Sequence, residues 1–213
     1  MTTTAFITRC LKSARLDLLG LLACVCLLAA PAQPVHAQAG NAAITLLKFE
    51  RVEDEILLTA NVKFELSSVV EEALQKGVPM VFVARADIYR PRWYWTNKRV
   101  ASVERHMRVD YQPLTRRWRL NVSAGEITHS GLGVALNQNF DSLPDALAAV
   151  QRLSRWKIAD VSEIDLDQRH QVEFRFQLDL SQLPRPFQIG MVGQTDWTIS
   201  VSWNQPLVLE NGR

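Results

Sequence analysis

A segment of eleven residues, 56–66, alternates between two kinds of side chain. One set is entirely apolar and consists of Ile56, Leu58, Ala60, Val62, Phe64 and Leu66. The other set is mostly polar and consists of Leu57, Thr59, Asn61, Lys63 and Glu65. Successive side chains of a strand point to opposite sides, so this period of two predicts a strand with one buried face. Such a strand needs neighbours to pair with, and the rest of the chain must supply them.

Further apolar runs along the chain supply those neighbours. The pattern predicts a hairpin at Gly125–Leu136 around residues 130–133, and strands at Ile44–Val52, Val78–Tyr89, Val100–Tyr111, Arg116–Ser123, His170–Leu180 and Trp197–Trp203. The links are short and helices do not alternate regularly with strands, which favours antiparallel pairing. The predicted fold class is therefore mainly β, a single antiparallel β-sandwich or curled-sheet domain over residues 38–213, with two short helices.

The two helices are predicted from their end signals. The first covers Val69–Lys76, and its capping-box and stop residues are Ser68, Glu71 and Gly77. The second begins after a cap at Asp141 or Ser142, with Pro144 in its first turn. Its apolar residues follow helical spacing at Ala146, Leu147, Val150 and Leu153.

Residues 1–37 have the layout of a secretory signal peptide. Basic residues come first, at Arg9, Lys12 and Arg15. The apolar run Leu18–Ala30 follows, and its 13 residues are fewer than the roughly 20 of a transmembrane helix. Small residues then surround Ala37, so we predict cleavage there and export to the periplasm. Cleavage after Ala39 and an uncleaved membrane anchor are the alternatives.

The leader also contains every cysteine of the chain, Cys10, Cys24 and Cys26. Cys24 lies in a segment that resembles a lipoprotein box, but the apolar run continues beyond it to Leu28, so we expect no lipid anchor. A cleaved protein would therefore lack thiols, disulfides and cysteine-ligated metals. Cleavage also removes three of the 24 basic and one of the 22 acidic side chains, which leaves no net charge. We therefore expect no nucleic-acid partner.

The remaining residues show no catalytic or metal-binding motif. His106, His129 and His170 have no ligand spacing, and we interpret them as histidines of the sheet surface. No Gly-x-Ser-x-Gly segment occurs. The acidic residues Asp160, Glu163, Asp165 and Asp167 do not fit a calcium loop. The sequence therefore predicts no catalytic residue, no metal site and no cofactor.

The most unusual segment, residues 85–119, holds ten basic side chains against three acidic ones. Alternation predicts a three-stranded meander here, with an apolar inner face that includes Tyr89, Trp93, Trp95, Met107, Val109, Tyr111, Trp118, Leu120 and Val122. The outer face would be basic, and its candidate binding residues are Arg90, Arg92, Arg108, Arg117 and Arg119. Arginine suits an anionic partner, because the guanidinium donates a planar fork to carboxylates and phosphates. That partner would be a lipid headgroup, an envelope polymer or an acidic protein surface; the alternative is a solvated sheet edge.

Several of these segments together resemble the DUF4390 family of proteobacterial envelope proteins. The resemblance is carried by residues 44–45, 90–93, 111–120, 183–187 and 197–203. It implies an exported β-rich protein without an assigned activity, so no catalytic residue can be transferred. Members are often encoded beside a membrane sensor kinase, which implies an accessory role and makes an inner-membrane sensor kinase a candidate partner.

Three functions compete on these grounds. The leading expectation is a non-catalytic periplasmic domain that binds an envelope protein or an anionic ligand, with membrane-surface association as a further option. The second is a hydrolase whose histidine and carboxylates come from separate parts of the chain. The third is a structural envelope protein held near the membrane by its basic face.

Overall fold

The structure, a computed structural model, describes residues 42–94, 96–125, 135–183 and 195–211. Their strands are β1 (Ala42–Val52), β2 (Glu55–Phe64), β3 (Met80–Arg90), β4 (Lys98–Gln112), β5 (Arg117–Ser123), β6 (Ala135–Phe140), β7 (Arg152–Asp160), β8 (Gln171–Asp179), β9 (Ser200–Pro206) and β10 (Leu209–Asn211). The helices are α1 (Ser68–Gln75) and α2 (Leu143–Gln151). Three short 3₁₀ helices lie at Val161–Glu163, Leu180–Gln182 and Thr195–Trp197.

The strands form two sheets. The four-stranded sheet has the order β10-β1-β2-β7, and the six-stranded sheet has the order β6-β5-β4-β3-β8-β9. Neighbouring strands are antiparallel, with the exception of β10, which pairs in parallel with β1. The predicted mainly β, antiparallel fold class with two short helices is confirmed. The sequence pattern did not predict β10, because three residues are too few to show an alternation.

One hydrophobic core lies between the two sheets. The ring of Phe64 in β2 stacks on Phe82 of β3 and Phe176 of β8, with centroids 5.2 and 5.5 Å away. The predicted inner face of β2 is buried from Ile56 to Phe64 at every second residue. Because these aromatic rings join strands of different sheets, the arrangement is a sandwich around a shared core.

Helix α1 and its N-cap both lie one residue earlier than predicted. The Ser67 hydroxyl accepts a hydrogen bond from the Val70 amide at 3.3 Å, so Ser67 is the N-cap and the predicted box at Ser68 is wrong. The predicted stop is confirmed, because Gly77 has a φ of 85°. Its amide and that of Val78 donate to carbonyls of the last turn, in a Schellman motif. The two serines are adjacent and chemically identical, so the backbone geometry decides which of them caps the helix.

Strand β7 follows α2 directly, which the sequence pattern did not predict. Helix α2 has its N-cap at Ser142, as expected, but it ends at Gln151, so Leu153 belongs to the strand. In the pairing of β2 with β7, two residues of β7, Ser154 and Arg155, lie opposite one residue of β2, Thr59. Arg155 has a φ of 45° at this bulge. The extra residue interrupts the alternation, and this is why the strand escaped a search for a period of two.

The strand predicted at Trp197–Trp203 begins later in the structure than predicted. Trp197 lies in a 3₁₀ helix and is buried in the core, whereas β9 begins at Ser200. Among the described residues, no helix has the length and apolar character that crossing a membrane would require. The predicted leader, residues 1–37, the hairpin tip at residues 130–133 and the loop at residues 184–187 lie outside the described residues.

Candidate functional site

The six-stranded sheet has an outer face that points away from the core. Along β3, Phe82, Ala84 and Ala86 are fully buried on the core side, whereas Arg85 and Asp87 alternate with them. Cross-strand partners share a side of the sheet, so register extends this outer face to the neighbouring strands. Its members include Glu104, His106, Arg108, Asp110, Asn121, Arg119, Arg117, Glu173 and Arg175.

The centre of the outer face is a set of ion pairs. Arg85 pairs with Glu104, and Arg175 pairs with Glu173. Nε2 of His106 lies 3.3 Å from a carboxylate oxygen of Glu104. Near the end of β3, Arg99 lies 3.8 Å from the buried Asp87. The arginines in this region have acidic neighbours of their own, so it offers little uncompensated charge.

A second group of arginines lies on the same face where β4 turns into β5. Register places Arg108 opposite Asn121, Arg119 opposite Asp110, and Arg117 opposite the last residue of β4. We call these five named residues the arginine cluster. Nε of Arg117 already contacts Asp141 at 3.3 Å, so Arg108 and Arg119 are the arginines that share Asp110. Two guanidinium groups of the cluster, those of Arg108 and Arg119, therefore share one carboxylate.

Two buried polar atoms of the cluster have no hydrogen-bond partner among the described residues. They are Nε of Arg108 and Oδ1 of Asn121, on residues that face each other across two strands. The Asn121 amide nitrogen donates to Asn137 on β6 at 3.0 Å. A buried donor without a partner costs free energy, so it favours any group that can accept its hydrogen bond. A carboxylate or phosphate oxygen can fill that role at Arg108.

Burial also affects the single acid of the cluster. Desolvation raises the pKa of Asp110, although the nearby Arg108 and Arg119 act in the opposite direction. The carboxyl group therefore takes up a proton at a higher pH than an exposed aspartate would. Two arginines beside such a carboxylate form a site that can accept an anion.

Two of the five predicted arginines lie far from this cluster. Arg90 ends β3, nine residues beyond the Val81 that pairs with Arg108, which is about 30 Å along the strand. Arg90 lies two residues after Ile88 and therefore shares the core side of β3 with it. Arg92 lies in the connection after the strand. The structure brings Arg108, Arg117 and Arg119 together and does not bring Arg90 and Arg92 to them.

Some aromatic residues also depart from the predicted meander faces. Trp93 lies in the β3–β4 connection and is 94% exposed, so its predicted place on the inner face is wrong. Tyr89 lies two residues after Asp87 and shares the outer face with it, so its predicted inner position is wrong. Trp95 lies outside the described residues. The predicted inner positions of Met107, Val109, Trp118 and Leu120 are confirmed.

One basic residue of the arginine-rich segment points into the core. Arg105 pairs with the buried Ala84, which places it on the inner side of β4. Its guanidinium carbon lies 5.0 Å from the ring centroid of Trp156 on the other sheet. Desolvation lowers the pKa of Arg105 below the usual arginine value. Arg105 therefore contributes to packing between the sheets and adds nothing to the outer-face charge.

The sequence pattern predicted histidines on the sheet surface. The two histidines that the structure describes are buried instead. His106 is 4% exposed and His170 is 5% exposed. His106 faces Gln177 across β3, and His170 is seven residues earlier in the chain, about 23 Å along β8. His129 lies outside the described residues. Within the described ranges, no group of three metal-ligating side chains could hold an ion.

Sequence reasoning overlooked Asp110 and Asn121 as members of the site. Their signal was available, because Arg117, Arg119 and Asn121 occupy every second position of one predicted strand. The missing information was the register with β4, which pairs Arg108 with Asn121. A turn of unknown length leaves that register open.

The fold and the site together define a two-sheet, mostly antiparallel β domain with a polar outer face. Residues 39–206 match the model of a family described as a domain of unknown function, DUF4390. The chain belongs to the DUF4390 family, as the sequence resemblance indicated. Neither the curated proteins nor the solved structures contain a match to this chain.

Proposed function

We propose that the protein is an exported, non-catalytic binding domain that holds an anionic group of an envelope partner on the arginine cluster. The observation that carries this proposal is the buried Nε of Arg108, which has no hydrogen-bond partner among the described residues. Arg108 is paired in register with Asn121, whose buried Oδ1 also lacks one. A bound carboxylate or phosphate would accept from Arg108 and from Arg119 beside it. Such charge-assisted hydrogen bonds are the strong ones in proteins.

Charge supports the same proposal. Arg108 and Arg119 act on a single carboxylate, that of Asp110, so an incoming anion would restore the local balance of charge. At the centre of the outer face, Arg85 and Arg175 already have carboxylate partners. The cluster is therefore a better anion site than the rest of the face. Export is supported by the leader pattern of residues 1–37, and an inner-membrane sensor kinase is a candidate for the partner.

The direct test is a titration of the purified protein with two probes, sodium acetate and inorganic phosphate. The arginine Nε–H resonances are followed by ¹⁵N NMR. We expect a saturable shift of the Arg108 resonance that weakens with salt. Losing one charged hydrogen bond costs about 1.5–3 kcal/mol, so Arg119→Gln should weaken binding at least tenfold. Asp110→Asn removes the competing carboxylate and should strengthen binding.

The matched control is Arg152→Gln, which removes an exposed arginine from the other sheet. It should leave the titration unchanged. Absence of any saturable shift, or equal weakening by Arg119→Gln and Arg152→Gln, would contradict the proposal. Acetate and phosphate distinguish a carboxylate partner from a phosphorylated one.

A second experiment addresses the partner in its own compartment. Cross-linking in intact cells, followed by mass spectrometry, should recover a membrane or envelope protein with the unaltered chain. The double variant Arg108→Gln/Arg119→Gln should lose that protein, and Arg152→Gln should keep it. Recovery of the same proteins by all three chains would refute a role for the cluster.

A further inference from the structure

The connection between β3 and β4 carries two strongly exposed aromatic side chains. Trp93 is 94% exposed and Tyr94 is 66% exposed. Their ring centroids are 4.9 Å apart and the ring planes cross at 71°. The two rings contact each other at the end of a long hairpin. Large exposed aromatic side chains of this kind commonly mark a surface that meets a partner.

The same connection is surrounded by positive charge. Arg90, Arg92 and Lys98 flank the two rings, and residues 90–99 contain no aspartate or glutamate. We call Arg90, Arg92, Trp93, Tyr94 and Lys98 the β3–β4 tip. Arg99, the residue after Lys98, lies 3.8 Å from Asp87 near the end of β3.

We propose that the β3–β4 tip docks on an anionic phospholipid surface. Tryptophan and tyrosine favour the boundary between headgroups and acyl chains, because each has an apolar body and a polar end. Arginine and lysine beside them attract anionic headgroups, and this attraction is lost at high salt. The tip combines both features at one projecting end of the molecule.

Two other partners fit the tip less well. A single-stranded nucleic acid needs aromatic faces on which successive bases stack, whereas Trp93 and Tyr94 meet edge to face. A protein partner would have to supply a pocket of its own for the two rings and acidic groups opposite the three cations. A bilayer requires only a projecting apolar group with cations around it. The lipid surface is therefore the occupant that charge and shape favour.

This docking goes beyond the proposed anion site and uses different residues. Strand β4 runs ten residues from Lys98 at the tip to Arg108 in the arginine cluster, about 34 Å along the strand. A domain attached by its tip would therefore hold the cluster away from the lipid. The cluster could then engage the part of an envelope protein that stands clear of the membrane.

The test is co-sedimentation with lipid vesicles. The protein is purified from cells that express the full-length sequence, and mass spectrometry determines its N-terminus. One vesicle type contains phosphatidylcholine alone, and the other adds phosphatidylglycerol. We expect binding to the second type only, with a loss at high salt. Removing Arg90 and Arg92 by glutamine substitution should weaken this binding about 25-fold, since each cation contributes about fivefold near an anionic surface.

The aromatic arm uses Trp93→Ala/Tyr94→Ala, which should weaken binding at least tenfold. Both side chains are exposed, so the variant should unfold at the same urea concentration as the unaltered protein. The matched aromatic control is Trp203→Ala, because Trp203 is 47% exposed on β9, far from the tip in sequence. The matched charge control is Lys63→Gln/Arg152→Gln. Both controls should bind as the unaltered protein does.

Three outcomes would overturn the inference. The first is no difference between the two vesicle types, and the second is equal binding by the tip variants and their controls. The third is tighter, tip-dependent binding to a single-stranded oligonucleotide than to the anionic vesicles. A failure of the phosphate titration at Arg108 would leave these results unaffected, so the two proposals fail separately.

Discussion

The contact between Arg105 and Trp156 gives a prediction about how the two sheets are held together. The guanidinium carbon lies 5.0 Å from the ring centroid, within the range of a cation–π interaction. Trp156 is buried, and burial lowers the pKa of Arg105, so the pair is largely withdrawn from water. Exposed pairs contribute about 0.5–1 kcal/mol and desolvated pairs about 2 kcal/mol. We therefore expect a coupling free energy of about 1 kcal/mol.

A double-mutant cycle measures this coupling. The single variants are Arg105→Met, which keeps an unbranched stem without the charge, and Trp156→Leu. The first should change the free energy of unfolding little, because the lost cation–π contact is offset by the desolvation cost of the guanidinium. The second should cost about 2 kcal/mol from lost burial. Urea unfolding reports each value, and with a slope of about 2 kcal/mol/M the coupling corresponds to about 0.5 M in the midpoint.

The result that refutes this reasoning is additivity of the two variants. A coupling below about 0.3 kcal/mol is what distant, independent sites give. A coupling that falls steeply with salt would also contradict it, because screening acts mainly on exposed charges. Either result would mean that Arg105 reaches solvent and does not connect the sheets.

Three further outcomes follow from the structure. Desolvation raises the pKa of Asp110, so its ionised form destabilises the fold, and Asp110→Asn should raise the free energy of unfolding at neutral pH. This gain should shrink as the pH falls through the raised pKa and vanish below the ordinary value of 3.8, as urea unfolding across a pH series would report. Ser67→Ala should cost about 1 kcal/mol through the lost N-cap, and the neighbouring Ser68→Ala much less, as compared by thermal unfolding. Gly77→Ala should cost about 1–2 kcal/mol, because Gly77 has a left-handed φ, and an unchanged urea midpoint would be evidence against this.

Alternation located β2 and β5, two strands that carry no extra residue of their own. Between Ile56 and Phe64, and again around Trp118 and Leu120, every second residue is buried, because one side of each strand faces the core. The same search missed β7, where Arg155 bulges and shifts the pattern by one residue. A bulge is specified by its partner strand as much as by its own sequence, so a local pattern cannot locate it.

The site was predicted in part, for a related reason. The sequence places Arg117 and Arg119 on one side of a strand, and the structure agrees. It could not show that Asn121 faces Arg108, because that pairing depends on the register across a turn. Burial of His106 was equally hidden, since a polar residue on an outer face is expected to be exposed. The pairing of Arg108 with Asn121 and the burial of His106 both depend on residues distant in the sequence, so local patterns do not predict them.

Ten basic residues lie within 85–119 of the sequence. The structure separates two groups of them, the β3–β4 tip and the arginine cluster. A strand rises about 3.4 Å per residue, so β4 alone separates Lys98 from Arg108 by about 34 Å. One end combines cations with exposed rings, and the other combines guanidinium groups with an amide and a half-buried carboxylate. Substitutions more than about 10 Å apart usually act independently. The variant Trp93→Ala/Tyr94→Ala should therefore leave phosphate binding at Arg108 unchanged, and Arg108→Gln should leave vesicle binding unchanged. If either substitution altered both activities, the arginine-rich segment would form one continuous surface. The separation of the β3–β4 tip from the arginine cluster would then be refuted.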